Sequence, residues 1–197
     1  MESLVDISVG RRQKQVDPAA FKSAMRQLTG GVTVITAGRG QDISGMTVTS
    51  FSSLSVEPPS VIVSIGRTAS SWPLIEKHGV FGANILTSDQ VEVAKRFTRQ
   101  SGLNGAQRFL GLAWAPSRSG VPLLTNALAA FVCKVDQTIE YHTHFLLIAN
   151  VLEVDLFAEK NGGLAYWNGQ YHTLEGNEDV RILSDVSMPT ARALREF

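Results

Sequence analysis

Apolar positions along this chain change their period at Gly30-Gly31. Before that point Phe21, Met25 and Leu28 recur at helical spacing, Asp17 is a good N-cap and Pro18 suits a first helical turn. After it the chain turns to strands. Val32 to Ala37 is rich in Val, Ile and Thr, Gly38 to Asp42 is a turn, and Ile43 to Phe51 and Val61 to Ile65 follow. Pro58-Pro59 separates the last two, because proline cannot sit inside a sheet. Ser70 to Lys77 predicts a short helix and Val80 to Leu86 a strand. Thr87 precedes Gln90 by the three residues of a capping box, opening a helix that turns Val91, Ala94 and Phe97 inward. Residues 99 to 120 form a long connection containing Gly and Ser, often a functional loop in a compact domain. Two long strands follow, about Leu128 to Tyr141 and His144 to Phe157. Leu164 to Trp167 and Gln170 to Leu174 flank Asn168-Gly169, the strongest short hairpin signal.

Seven or so strands joined mostly by turns, with helices as inserts, argue for a mainly β antiparallel barrel and against a doubly wound sheet. The 197 residues fit one domain, at 17–174, between an N-terminal tail (1–16) and a polar, irregular C-terminal tail (175–197). Eighteen basic side chains balance eighteen acidic ones, so nucleic acid and anionic membrane are not expected partners. The N-terminus lacks a hydrophobic stretch and no run is long enough to span a bilayer, so the expected location is cytoplasmic. Cys133 is the one cysteine; it excludes an intrachain disulfide and a multi-cysteine metal site, and its place in an apolar strand points to an inert, buried thiol.

No G-x-G-x-x-G lies between a strand and a helix, and no Walker loop, G-x-S-x-G elbow or H-E-x-x-H is present. Nucleotide handling would therefore proceed without a Rossmann unit. The stretch Gly45 to Ser55 carries six hydroxyl side chains in eleven residues as a strand runs out into a loop. Such a rim suits a ligand rich in acceptors, a flavin ring or a phosphate, although a solvated edge strand has the same composition. Ser64 to Ser71 offers small hydroxyl residues, a glycine and Arg67 ahead of a short helix, which is either a phosphate seat or a simple N-cap. Lys95 and Arg96 add positive charge or favour the helix dipole.

Taken in order, these segments resemble the flavin reductase family with the FMN-binding split-barrel fold. The resemblance rests on Phe21 to Met25, Thr29 to Thr36, Gly45 to Ser55 with Pro58-Pro59, and Phe81-Gly82-Ala83-Asn84-Ile85-Leu86. Arg96-Phe97, Gly120 to Leu123, the strand at Cys133, His144 and Tyr166 to Leu174 complete it, over about residues 20 to 174.

The resemblance implies a homodimeric enzyme that passes hydride from NADH or NADPH to FMN or FAD and supplies reduced flavin to a separate monooxygenase. It places Thr47, Val48, Thr49, Ser50, Ser53 and Leu54 along the flavin. Ser64 and the turn Thr68, Ala69, Ser70 and Ser71 hold its phosphate end, with Lys95, Arg96 and Phe97 nearby. His144 matches the histidine of a G-D-H motif beside the nicotinamide, and Tyr171 closes that side. Here His142 and Thr143 stand where the family has glycine and aspartate, and Thr49 stands where asparagine is frequent.

No side chain in the sequence is itself a redox group that could carry a hydride, so a cofactor must carry the chemistry, and His144 is expected to position reactants. Two other readings stay open. One is a flavin-binding protein without turnover. The other is a metal-dependent β-barrel enzyme in which Glu140, His142 and His144 alternate along one strand and share a face.

Overall fold

The computed structural model of the chain describes residues 16–157 and 162–174. Of the two expected tails, all but Val16 lies outside the described residues. Helix α1 (Pro18–Met25) starts as expected, with Asp17 accepting from the Ala19 N–H. It buries no residue and ends at Met25, so Leu28 lies beyond it in the turn; Phe21, Met25 and Leu28 are all exposed on the isolated chain. Strands β1 (Gly30–Gly31), β2 (Thr33–Arg39), β3 (Asp42–Val48), β4 (Ser52–Val56) and β5 (Pro59–Gly66) come next. Then follow α2 (Trp72–His78), β6 (Val80–Ile85), α3 (Val91–Arg96) and two 3-10 turns, Arg99–Ser101 and Gly105–Phe109. The chain continues through β7 (Trp114–Pro116), β8 (Pro122–Leu124), β9 (Ala129–Tyr141), β10 (His144–Leu156), β11 (Gly163–Trp167) and β12 (Gln170–Leu174).

The main sheet has seven antiparallel strands in the order β3-β2-β6-β9-β10-β5-β4. Its edge strands, β3 and β4, are consecutive in the chain and only Thr49, Ser50 and Phe51 join them. That link spans at most about 14 Å, whereas the edges of a flat seven-stranded sheet lie about 29 Å apart. The sheet must therefore curl. Ser50, in the link at this seam, extends the β4–β5 register: its Oγ donates to the Ser64 carbonyl at 2.9 Å and accepts from the Ser64 N–H at 3.3 Å. The result is the antiparallel split β-barrel expected from the strand pattern.

Alternation along the strands builds the interior. Ile35 and Ala37, Val63 and Ile65, Phe81 and Ala83, and Leu147 and Ala149 are fully buried in one cluster, together with Cys133. The opposite face of β2 is covered as well. Val32 and Val34 pack with Leu86, Ala94, Phe97, Phe109, Leu124 and Leu164 in a second cluster beneath α3 and the second 3-10 turn. Burial on both faces explains why Val32 to Ala37 reads as a continuous β-branched run. Asn84, wholly buried, ties the layers together: its Nδ2 donates to the Val34 carbonyl at 2.9 Å and its Oδ1 accepts from the Leu124 N–H at 2.8 Å.

Several sequence expectations change. Strand β3 stops at Val48 instead of Phe51, because the chain bends at Thr49–Phe51 to close the barrel, and Ser52–Val56 is an exposed edge strand, not a loop. Pro59 opens β5 opposite Val56, a strand start where its missing N–H is tolerated. The connection at 99–120 is not structureless, since it holds both 3-10 turns and β7. At 87–90 the Gln90 side chain accepts from the Thr87 N–H at 3.0 Å, one half of the expected capping box. The Asn168-Gly169 hairpin is present, with both φ angles positive as a two-residue type I′ loop requires.

Candidate functional site

A cleft of about 1000 Å³ opens between the exit of β3, the last turn of α3, the 98–103 segment and the β11–β12 hairpin. Thr47, Val48 and Thr49 form one wall. Gly45 makes that wall possible, because a Cβ there would meet the Ile35 carbonyl at 2.7 Å and the Phe97 ring at 2.8 Å. Phe97 can thus lie against β3, and its own carbonyl accepts from the Thr47 N–H at 3.2 Å. The Thr47 hydroxyl donates to the Ala94 carbonyl at 2.6 Å. Strand β3 and helix α3 are in this way joined by main chain, side chain and ring packing together.

The facing wall is cationic. Lys95, Arg96 and Arg99 line it against a single carboxylate, Glu92, whose Oε1 pairs with the Lys95 ammonium at 2.7 Å. Arg96 donates to the Gln107 carbonyl at 3.3 Å, and its buried Nε has no hydrogen-bond partner. Arg99 enters no ion pair among the described residues. A half-buried guanidinium with an unpartnered N–H beside two further cations fits a phosphate-bearing ligand. Tyr166 and Tyr171 close the remaining side, their rings 5.2 Å apart and tilted by 65°. Burial, with Tyr166 alongside, pushes the Tyr171 hydroxyl above its ordinary pKa, so it remains a neutral donor at physiological pH.

The sequence-predicted residues divide between this cleft and its surroundings. Thr47, Val48, Thr49, Lys95, Arg96 and Tyr171 line it, and Phe97 supports it from the core. Ser50 and Ser64 bond to each other at the barrel seam. Two residues along β5, Gly66 pairs with His144, so His144 continues the same surface beyond the seam. Its Nδ1 shares a 2.8 Å hydrogen bond with the Thr143 hydroxyl. Ser53 and Leu54 lie at a register shift on exposed β4. The turn at Thr68, Ala69, Ser70 and Ser71 stands apart from the cleft. The Ser70 hydroxyl is 2.8 Å from that of Ser44, and Ser71 is fully buried as α2 sinks Leu74 and Ile75 into the core. Arg67 pairs with Glu140 and stacks over Phe145.

Sequence reasoning missed Arg99, Gln100, Ser101, Leu103 and Tyr166, all in the cleft wall. The signals available were the 99–120 connection as a whole and the continuation of the basic run from Lys95-Arg96 to Arg99.

The metal reading is corrected by the hairpin. Strand β9 ends at Tyr141, His142 takes a positive φ of 49° in the turn, and β10 begins at His144, so the two histidines do not alternate on one strand. No three His, Cys, Asp or Glu among the described residues are grouped to hold a metal ion. Cys133 is wholly buried, and burial pushes its thiol pKa up to about 12. No described helix is long and apolar enough to cross a membrane.

A curled antiparallel sheet with a cationic cleft beside the link between its edge strands is a split barrel of the FMN-binding type, and comparison with known proteins gives the family. The flavin reductase like domain matches residues 25–175, and the chain belongs to that family; it is an oxidoreductase, a flavin reductase. It is 33% identical over 162 residues to the reductase subunit HsaB of a flavin-dependent monooxygenase from Mycobacterium tuberculosis, covering 82% of this chain and 84% of that one. It is 30% identical over 158 residues to the FMN reductase (NADH) RutF of Klebsiella pneumoniae, covering 80% and 94%. Among solved structures, BorF, the flavin reductase component of a bacterial two-component tryptophan halogenase, superposes with a TM-score of 0.75 at 28% identity, covering 82% of this chain and all of that one.

Proposed function

We propose that this flavin reductase passes hydride from NADH to FMN, its phosphate seated on Lys95, Arg96 and Arg99, and hands the reduced flavin to a separate monooxygenase component. The observation that carries this reading is the Arg96 guanidinium, half-buried in the cleft wall with its Nε unpartnered. The choice of NADH and FMN follows the name of the RutF relative, and the monooxygenase partner follows HsaB and BorF. A bound flavin supplies the hydride-accepting ring. The protein's part is placement.

Thr47, Val48 and Thr49 border the ring edge; both the N–H and the hydroxyl of Thr47 are already bonded, to Phe97 and Ala94, so Thr47 contributes shape and not a donor. The Tyr171 hydroxyl faces the same cleft as a neutral donor. His144, held by Thr143, orients the nicotinamide from beyond the seam. Ser53 and Leu54 on the exposed edge strand and the 68–71 turn do not line the cleft and have no part in this reading.

A second copy of the chain completes the assembly in this reading. Leu152, Val154 and Leu156, alternate residues on β10, and Leu54 and Val56 of the edge strand β4 are all about half exposed or more on the isolated chain. NADH and NADPH oxidation, followed at the nicotinamide absorbance with FMN, FAD, riboflavin or no flavin, tests the function. Turnover that requires added flavin and is fastest with NADH and FMN supports it; no turnover by folded protein with any pair overturns it.

A further inference from the structure

Arg108 is 94% removed from solvent, yet it takes part in none of the ion pairs among the described residues. Its guanidinium is held instead by two carbonyls from different parts of the chain. Nε donates to Leu103 at 2.9 Å and Nη1 reaches Gly45 at 3.4 Å. Leu103 belongs to the cleft wall that also carries Arg99, Gln100 and Ser101. Gly45 lies on β3, two residues before Thr47, where the opposite wall begins. One planar fork therefore bridges the two sides of the cleft from behind.

The segment it restrains has no strand to anchor it and is held by side chains and turns. Residues 98–109 form only 3-10 turns, with no strand pairing. A capping box between Asn104 and Gln107 closes the second turn, the Gln107 carbonyl accepts from Arg96, and Phe109 packs edge-on against Phe97. Burying a guanidinium without a carboxylate is costly, and burial lowers the Arg108 pKa. An arginine retained in such a place needs a geometric return.

We infer that Arg108 is a positioning residue: its fork sets the distance between the 98–103 wall and β3, and so the seat that Arg96 and Arg99 offer to the flavin phosphate. The inference rests on the cleft being the flavin site. Its readout is flavin KM set against kcat, which a merely structural role would not split.

The test compares FMN and riboflavin kinetics at saturating NADH for the wild type, Arg108→Met, Arg108→Lys, Asn104→Ala and Arg99→Gln. Arg108→Met should raise the FMN KM roughly tenfold with kcat within about threefold, and riboflavin should change less. Arg108→Lys should recover little of that loss, because an ammonium keeps the charge without the planar fork. Asn104→Ala removes the exposed cap of the 3-10 turn and should raise the FMN KM by roughly threefold in a protein that still folds, so it carries the test if Arg108→Met does not. An unchanged FMN KM in the folded variants, or full recovery by lysine, overturns the inference. Arg99→Gln then separates the two levels. If it weakens FMN while the Arg108 and Asn104 variants do not, only the positioning role fails; if none of them does, the reading of the cleft fails with it.

Discussion

The Thr47 hydroxyl lies 2.6 Å from the Ala94 carbonyl and donates to it, so a residue expected to present its hydroxyl to a ligand instead binds the helix across the cleft. Thr47→Val keeps the shape of the side chain and deletes only the donor. Leaving the Ala94 carbonyl unpartnered should cost about 1–2 kcal/mol of stability, read from denaturant unfolding. Thr47→Ser should retain most of it. If valine is neutral, the hydroxyl is free for ligand.

Charge at the cleft should discriminate between flavins. Arg96→Met is expected to weaken FMN roughly tenfold or more and riboflavin, which has no phosphate, far less. Raising the salt concentration should narrow the difference between the two flavins in the wild type. Flavin titration by fluorescence quenching measures both, and equal losses for FMN and riboflavin would place the phosphate elsewhere.

His144→Ala should slow hydride transfer while flavin affinity stays close to wild type, because His144 continues the surface beyond the Ser50–Ser64 seam and is absent from the cleft lining. Single-turnover reduction under anaerobic conditions separates the two quantities. Equal loss of both would remove the positioning role.

Cys133 sets a pH dependence of stability. Burial holds its pKa at about 12 in the fold against an ordinary 9.0, so above pH 9 the unfolded chain loses a proton that the folded chain keeps. Stability from this group is whole below pH 9 and falls by up to about 1.4 kcal/mol per unit as pH rises towards 12. Cys133→Ala should remove that slope, so the difference between the two proteins in unfolding free energy at pH 8 and pH 10.5 measures it. Turnover should survive Cys133→Ser, and thiol reagents should label the wild type only on unfolding.

Much of the fold was legible from local pattern. The Asn168-Gly169 turn, the start of α1 at Asp17, the two long strands at Cys133 and His144 and the buried thiol each depend on residues close together in the chain. The end of β3 was not legible, since nothing near Val48 stops a strand; it ends there because the three-residue link must carry the chain to β4, which pairs with β5 at the other edge of the sheet. The same holds for Asn84. Its place in an apolar strand hides the fact that it satisfies groups on β2 and just inside β8.

By itself the sequence determined an antiparallel barrel, the absence of a Rossmann unit and the family to which the chain belongs, because strand period, turn chemistry and ordered motifs are local properties. Only the tertiary structure decided which polar residues face the cleft. Hydroxyls at Thr47, Ser50 and Ser70 are bonded to Ala94, Ser64 and Ser44, from elements 14 to 47 positions away, while Arg99 and Tyr166 arrive on walls that no single segment contains. The physical reason is that a polar side chain bonds whatever packs opposite it. That neighbour is chosen by closure of the barrel and not by the residue's own stretch of chain.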